Sequence, residues 1–190
     1  MAEAVQLQAR ATGQAVPATR DELMTYLAER SIEATTIEHP ALFTVAESQG
    51  LRGEIAGGHT KNLFVKDKKG RHFLVVAEES RAVDLKSLHR LIGAQGRLSF
   101  ASAEAMMALL GVEPGSVTAF GVLNDRAGQV TVVLDEGLLA HDMVNCHPLT
   151  NTATTTVATD GLMTFFRSTG HEPLVVRLDG ETDQGNGRDG

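Results

Sequence analysis

The feature that most restricts how this chain can fold is a pair of strand-like runs on either side of a charged turn. Lys61-Asn62-Leu63-Phe64-Val65-Lys66 and His72-Phe73-Leu74-Val75-Val76-Ala77 flank Asp67-Lys68-Lys69-Gly70. Both runs hold the β-branched and aromatic residues that favour strands, so the segment reads as a hairpin with a four- to five-residue turn. Gly70 is placed to supply the positive φ that such a turn needs.

Capping signals mark helices around this hairpin. Thr19-Arg20-Asp21-Glu22 is a capping-box pattern opening a helix that carries Leu23, Tyr26 and Leu27. Asp84 is expected to cap a helix with Leu85, Leu88, Leu91 and Ile92 on one face and Gly93 at its end. Ser102 caps another, with Met106, Leu109 and Leu110 inward and Gly111 terminating it. Asp160 is read as the cap of a last helix, which contains Leu162, Phe165 and Phe166 and stops at Gly170. A short helix is expected around Val45 to Gln49. Further strands are expected at Thr35 to His39, Val117 to Leu123, Gln129 to Leu134, Thr150 to Val157 and Pro173 to Leu178. Asn124 to Gly128 forms a turn-rich link between two of them. This order is mixed and hairpin-rich rather than a regular βαβ alternation, so the expected class is α+β.

A chain of 190 residues with 42% apolar residues suits one domain with its own core. The expected organisation is a flexible leader over 1–18, a folded domain over 19–179 and a Gly-rich flexible tail over 180–190. Aromatics are only 4%, so Leu, Val, Ile, Ala and Met must fill the core. One cysteine, Cys146, excludes an intramolecular disulfide and fits a reducing, cytoplasmic setting. No run of about 18 apolar residues is present, so no membrane span is expected. The net charge is −7, yet nine Lys or Arg and four acids lie between Lys61 and Arg97. That local excess can present a basic face to phosphates, or it can be a set of scattered solvated side chains.

The standard hydrolase and nucleotide signatures are missing: no Gly-x-Ser-x-Gly elbow, no phosphate loop, no dinucleotide fingerprint and no His-Glu-x-x-His. His141, Asp142 and His147 lack a zinc spacing, and no metal is expected. Cys146 reads as a buried thiol beside a site residue rather than as a nucleophile. Gly58-His59-Thr60-Lys61-Asn62 reads as a loop feeding a strand that begins with lysine. It sets an ammonium and an amide where phosphate or ribose oxygens could be bound, although alone the motif favours a solvent-facing lysine that starts a strand.

That motif belongs to a longer series. His39-Pro40 precedes Phe43-Thr44-Val45; Thr60-Lys61-Asn62-Leu63-Phe64 and Asp84-Leu85-Lys86 follow, then Arg97-Leu98-Ser99-Phe100-Ala101. Next come Gly111-Val112, Pro114-Gly115-Ser116-Val117-Thr118, Gly121, Asn124-Asp125, and His147-Pro148-Leu149 with Asn151. In order and spacing these pieces, running from about Asp21 to Asp179, resemble the YbaK/prolyl-tRNA synthetase editing-domain family. The Phe-Thr-Val, Lys-Asn-Leu-Phe and Arg-Leu-Ser-Phe-Ala pieces look closest to its free-standing alanyl-tRNA(Pro) deacylases, the ProX/PrdX type.

The resemblance implies a compact mixed, mainly antiparallel, partly closed β-sheet surrounded by helices. It also implies hydrolysis in trans of the ester of mischarged tRNA, first of all Ala-tRNA(Pro), without metal or other cofactor. Lys61 and His147 match the family's site lysine and histidine, and Asn62 its adjacent polar residue. Gly115, Ser116, Val117, Thr118 and Ala119 match a loop that borders the bound aminoacyl group, where the family has proline in place of Ala119. Phe43, Val45 and Val117 are candidates for the pocket wall, with core packing as their competing role. Lys66, Lys68, Lys69 and Arg71 are candidates for contact with the acceptor stem. The implied partners are the acceptor end of mischarged tRNA and a prolyl-tRNA synthetase complex, with the chain itself a monomer. Two alternatives stand beside this one: hydrolysis of Cys-tRNA(Pro) or another small-amino-acid ester, and a catalytically silent tRNA- or synthetase-binding module.

Overall fold

The computed structural model describes residues 16–41 and 55–178. The leader over 1–15, the helix expected at Val45 to Gln49, the wall candidates Phe43 and Val45, and the tail lie outside the described residues.

Helix α1 (Arg20–Glu29) opens on the expected capping box. Thr19 Oγ1 accepts from the Glu22 N–H, and the Glu22 carboxylate accepts from the Thr19 N–H. Its Leu23 and Leu27 enter the core. The chain is already held one residue earlier, where the Ala18 N–H donates to Asn124 Oδ1 at 2.7 Å.

The hairpin forms as β2 (Gly58–Lys66) and β3 (His72–Glu78), in antiparallel register from Thr60↔Glu78 to Lys66↔His72. Its turn is organised by Asp67, whose carboxylate accepts from the N–H groups of Lys69, Arg71 and Gln95 and from Arg71 Nε. Burial alone would raise this carboxyl, but the hydrogen bonds from Gln95, Arg71 and Lys69 hold it well below the usual carboxylate range. Gly70 takes φ +78°, as the turn requires.

Helix α2 (Leu85–Leu91) is capped by Asp84 as expected, and Leu88 and Ile92 are buried. Leu91 is the exception on the expected face: it is 56% exposed. A two-residue strand β4 (Ser99–Phe100) precedes α3 (Ala103–Leu110), which is capped by Ser102 and ended by Gly111 in the left-handed region. The expected strand at Val117 to Leu123 is replaced by a 3-10 helix, Ala119–Leu123. The Thr118 hydroxyl caps it, and Ala119 to Val122 are all buried. A strand buried on one face would alternate; this run touches core all round and curls instead.

β5 (Val130–Asp135) leads through a 3-10 turn, Glu136–Ala140, into β6 (Met143–Cys146), a strand the sequence did not announce. β7 (Ala153–Ala158) is the expected Thr-rich strand, starting three residues later than its pattern. α4 (Thr159–Ser168) begins with Ala158 as its unassisted N-cap, so Asp160 lies inside the first turn rather than capping it. β8 (Leu174–Val176) is the last element, and β1 (Ala34–Glu38) the first strand.

The sheet runs β1-β7-β6-β2-β3-β5-β8, with β4 on β2. Four pairings are antiparallel, β1·β7, β2·β3, β2·β4 and β6·β7. Three are parallel, β2·β6, β3·β5 and β5·β8. The α+β class stands, but the sheet is evenly mixed rather than mainly antiparallel, because β5, β6 and β8 arrive by crossovers instead of hairpins. The path ends at β1 and β8 without a ladder joining them.

β2 is the hinge of this arrangement. It pairs with β6 through Gly58 and His59 and with β4 through Val65 and Lys66 along the same edge, and with β3 along the other. Phe64 faces the larger core with Leu74, Val76, Phe120, Val144 and Cys146. Val65 faces the smaller one with Phe73, Val75, Leu88 and Ile92. No helix among the described residues is long and apolar enough to cross a membrane.

Candidate active site

Lys61 is the fourth residue of β2, not its first as the loop-to-strand reading had it. Strand alternation sets Lys61, Leu63 and Val65 on the smaller-core face and Thr60, Asn62 and Phe64 on the larger-core face. Lys61 and Asn62 therefore do not act from one side of the sheet. The Lys61 ammonium donates to the carbonyl of Arg81, in the turn after β3. That turn is clamped: Arg81 lies 3.4 Å from Asp135 and 3.7 Å from Glu78, and Asp135 also accepts from the Glu78 and Gly137 N–H groups. Glu78 in turn meets His141 Nε2 at 3.3 Å. A Cβ on Gly58 would come within 2.7 Å of the His141 ring, so a larger residue there would displace that ring.

Thr60 fixes β2 against β6. Its hydroxyl donates to the Asn145 carbonyl at 2.8 Å and contacts Cys146 Sγ at 3.6 Å. The parallel register Gly58↔Val144 and His59↔Asn145 sets β6, which ends one residue before His147, alongside the first half of β2. Lys61 lies on the face away from the larger core. Cys146 points into that core, and burial pushes its thiol up to about 12, so it is an inert neighbour of the site.

His147 Nδ1 lies 3.2 Å from the Ala153 carbonyl. A carbonyl only accepts, so Nδ1 carries the hydrogen, and Nε2 of the neutral ring keeps its lone pair. Burial lowers the His147 pKa; the Ala153 contact opposes this, the His39 charge adds to it and Glu79 counters it. The His39 ring stands 6.4 Å away, held by Thr154 Oγ1 at 2.9 Å and the Pro40 carbonyl at 2.8 Å. His39, Arg81 and Asp135 are the neighbours that sequence reasoning did not assign to the site. His39 is brought in by the β1·β7 pairing, and Arg81 and Asp135 by the fold of the β3–α2 turn against the end of β5.

The 115–119 loop reaches the same place through Thr118, whose buried hydroxyl donates to the His147 carbonyl at 2.6 Å and accepts from the Phe120 N–H. Gly115 sits at φ +91° facing open space. Ser116 donates its N–H to the Glu113 carbonyl, so it is committed within the loop. Ser116 lines a 410 Å3 cleft with Gly111 to Glu113, Pro148 to Asn151 and Pro17 to Arg20. Lys61 and His147 do not line that cleft. Val117 packs against the larger core. Ala119 is fully buried as the first residue of its 3-10 helix. Asn62 Oδ1 is buried with no hydrogen-bond partner.

Of the basic hairpin residues, Lys66, Lys68 and Lys69 are exposed. Arg71 is engaged: its guanidinium holds Asp67 at 2.8 Å and the Gly93 carbonyl at 2.8 Å, which makes it a brace of the turn. His141, set against Glu78, is directed away from any grouping with Asp142 and His147. Among the described residues no three His, Cys, Asp or Glu side chains converge as a metal site.

A lysine ammonium on β2, a neutral imidazole just after β6 and a Gly-Ser-Val-Thr loop tied to that histidine suit a site that holds a polar ligand by position and charge. An aminoacyl-tRNA editing domain model matches residues 39–165, and the chain belongs to that family. Over 181 residues it is 38% identical to prolyl-tRNA synthetase associated domain-containing protein 1 of Danio rerio, covering 93% of this chain and 98% of that one. It is 38% identical over 166 residues to the prolyl-tRNA editing protein ProX of Acetoanaerobium sticklandii, covering 87% and 96%. A solved structure assigned as a candidate trans-editing enzyme for prolyl tRNA synthetase shares the fold, with a TM-score of 0.64 over 85% of this chain and 97% of that chain at 24% identity.

Proposed function

We propose that this chain is a trans-acting deacylase that hydrolyses the ester of mischarged tRNA, with Ala-tRNA(Pro) as its first substrate. The observation that carries this reading is the hydrogen bond from Thr118 to the His147 carbonyl, which ties the 115–119 loop to the histidine. Family membership and the similarity to a ProX protein support it.

The ester is already activated, so the site needs no strong nucleophile of its own. Water adds to the carbonyl carbon, the bond from that carbon to the ribose oxygen breaks, and the ribose oxygen leaves with a proton that the water gives up. Lys61 binds the terminal phosphate or ribose region and orients the ester; an ammonium is a poor base unless strongly depressed. His147 Nε2 accepts a hydrogen bond from the vicinal ribose hydroxyl, which passes the water's proton along. N–H groups of the 115–119 loop other than that of Ser116 donate to the ester carbonyl oxygen. Alanine is selected over proline by size, as a second sieve. The tRNA acceptor end is the partner, in the cytoplasm, and a prolyl-tRNA synthetase complex is the second assembly in which it would act.

Purified protein is tested on tRNA(Pro) charged with alanine, cysteine, serine or proline. Alanine release should be fastest and proline release negligible. A cysteine preference would move the substrate to the alternative ester, and no release from any of them would leave a silent binding module. Lys61→Ala should lower Ala-tRNA(Pro) hydrolysis by at least about 100-fold, the scale lost with one electrostatic positioning group; an unchanged rate refutes the site.

A further inference from the structure

Arg81 stands between the site lysine and a buried carboxylate on the same face of the sheet. Lys61 pairs with Ala77, which is part of the smaller core, so Lys61 points to that face. Asp135 pairs with Val176, which packs against the same core, and Val133 two residues before it lies within that core. Asp135 therefore points to the face of Lys61, two strands away in the order β2-β3-β5, and is 1% exposed.

A buried carboxylate pairs with the cation that reaches it. Here that cation is Arg81, whose guanidinium lies 3.4 Å from Asp135 and 3.7 Å from Glu78. The backbone carbonyl of the same residue accepts from the Lys61 ammonium. The ammonium is thus held by a neutral dipole and keeps its charge for a ligand, while the guanidinium takes the carboxylates. The Arg81 N–H closes the turn on the Glu78 carbonyl at 3.0 Å. Asp135 accepts from the Glu78 and Gly137 N–H groups at 3.3 and 3.1 Å, which ties that turn to the end of β5. A Cβ on Gly137 would come within 2.6 Å of Arg81 Nη2, so glycine there leaves the guanidinium its place. A fixed carbonyl narrows the positions open to a lysine tip on its flexible stem.

We propose that Arg81 and Asp135 are positioning residues for Lys61. Their ion pair fixes the carbonyl that orients the ammonium, and it keeps the buried carboxylate from neutralising that ammonium. Both act through Lys61 and not on the ester; the proposal rests on the deacylase reading for the reaction that Lys61 serves.

The first measurement is independent of that reaction. Competitive amine labelling with acetic anhydride, read by peptide mapping, compares Lys61 with the exposed Lys68 and Lys69 of the same molecule. Asp135→Asn loosens the turn and leaves no carboxylate there, so Lys61 should label at least about 5-fold faster, the scale of one lost hydrogen bond. Arg81→Ala frees Asp135 to capture the ammonium, so Lys61 should label about 5-fold slower. Gly137→Ala, which pushes the guanidinium without removing a charge, should shift labelling in the same direction as Arg81→Ala and serves where Arg81→Ala does not fold. Thermal unfolding shows which variants are read as folded protein.

The second measurement is Ala-tRNA(Pro) hydrolysis. Asp135→Asn and Arg81→Ala should each lower kcat/KM by up to about 100-fold, as misplacing one group does. Arg81→Lys, which keeps a cation for Asp135, should recover part of the loss. In a Lys61→Ala background neither change should lower the residual rate further. Equal losses with and without Lys61 would mean that the pair only holds the fold, and the proposal falls. Lys61 labelling that no variant alters overturns it as well, whatever the activity. A protein that releases no amino acid yet shows the opposite labelling shifts sustains the clamp and sinks the deacylase reading.

Discussion

At the residue scale the site rests on which nitrogen of His147 is free. Its Nδ1–H points at the Ala153 carbonyl, and burial lowers its pKa, so at pH 7 the ring is neutral with Nε2 open. A lowered pKa sets the sign of the pH dependence. The accepting form is fully present above the ordinary imidazole range and is lost as pH falls through the lowered value, below about 6.5. Log kcat/KM for Ala-tRNA(Pro) should therefore be flat from neutral pH upward and should fall with unit slope only below that point. His147→Gln should remove this acid limb and slow hydrolysis roughly 10- to 100-fold, the range for losing one strong hydrogen bond. A profile identical to wild type would take His147 out of the reaction. His39, 6.4 Å away, is a second imidazole on the same face, so the limb should also be measured in His39→Asn to separate the two.

At the scale of elements, the informative one is the 3-10 helix Ala119–Leu123. The sequence there is apolar and reads as a strand, whereas the structure curls it. Gly121 lets the backbone approach Leu110, where a Cβ would meet Leu110 Cβ at 3.1 Å, and Thr118 supplies the cap. A short apolar run cannot be told from a buried helical turn by its period alone. The caps at Thr19, Asp84 and Ser102 and the hairpin were legible because their signals are local. Asp160 was misleading, since Thr159 gives its hydroxyl to the His141 carbonyl and the helix starts two residues earlier, with Ala158 as its N-cap. The place of the family's proline can also be judged here. Thr118 sits at φ −145°, ψ 154°, the extended region that a residue before proline must occupy, and Ala119 is the first helical residue, where proline is favoured. Thr118 thus pins the loop without the ring. Ala119→Pro should leave KM unchanged and stabilise the protein by about 0.4–1 kcal/mol. Thermal unfolding should show a Tm higher by about 1–4 °C. A lower Tm would mean that the core has closed on the alanine and cannot admit a ring.

At the scale of the molecule, what the sequence could not carry is the pairing between distant segments. Strand identity is local, but β5 beside β3, β8 beside β5 and β6 beside β2 depend on crossovers that leave no mark on any one stretch. The same holds for polar locks across the fold, such as Arg81 with Asp135 near Lys61. The largest of these ties the far end of the chain to the middle. His171, just after α4, sets Nε2 3.0 Å from Asp125 Oδ2, with side chains 2% and 1% exposed. The same oxygen accepts from the Val130 N–H at 2.6 Å, and His171 Nδ1 meets Thr169 Oγ1 at 3.0 Å. The pair thus fastens the segment after α4 to the start of β5. Asp125 Oδ1 already lacks a partner, so the carboxylate leans on one oxygen alone. His171→Ala would leave a buried carboxylate without its side-chain partner, a change that costs about 3–5 kcal/mol. Thermal unfolding should fall by roughly 6–20 °C, at about 2–4 °C per kcal/mol for a chain of this size. His171→Gln, which keeps a donor, should recover part of the loss. Ala-tRNA(Pro) hydrolysis well below the new Tm should be unaffected, because the lock shares no hydrogen-bond partner with Lys61 or His147. A His171→Ala protein that melts like wild type would show that the pair adds nothing to the stability of the core it joins.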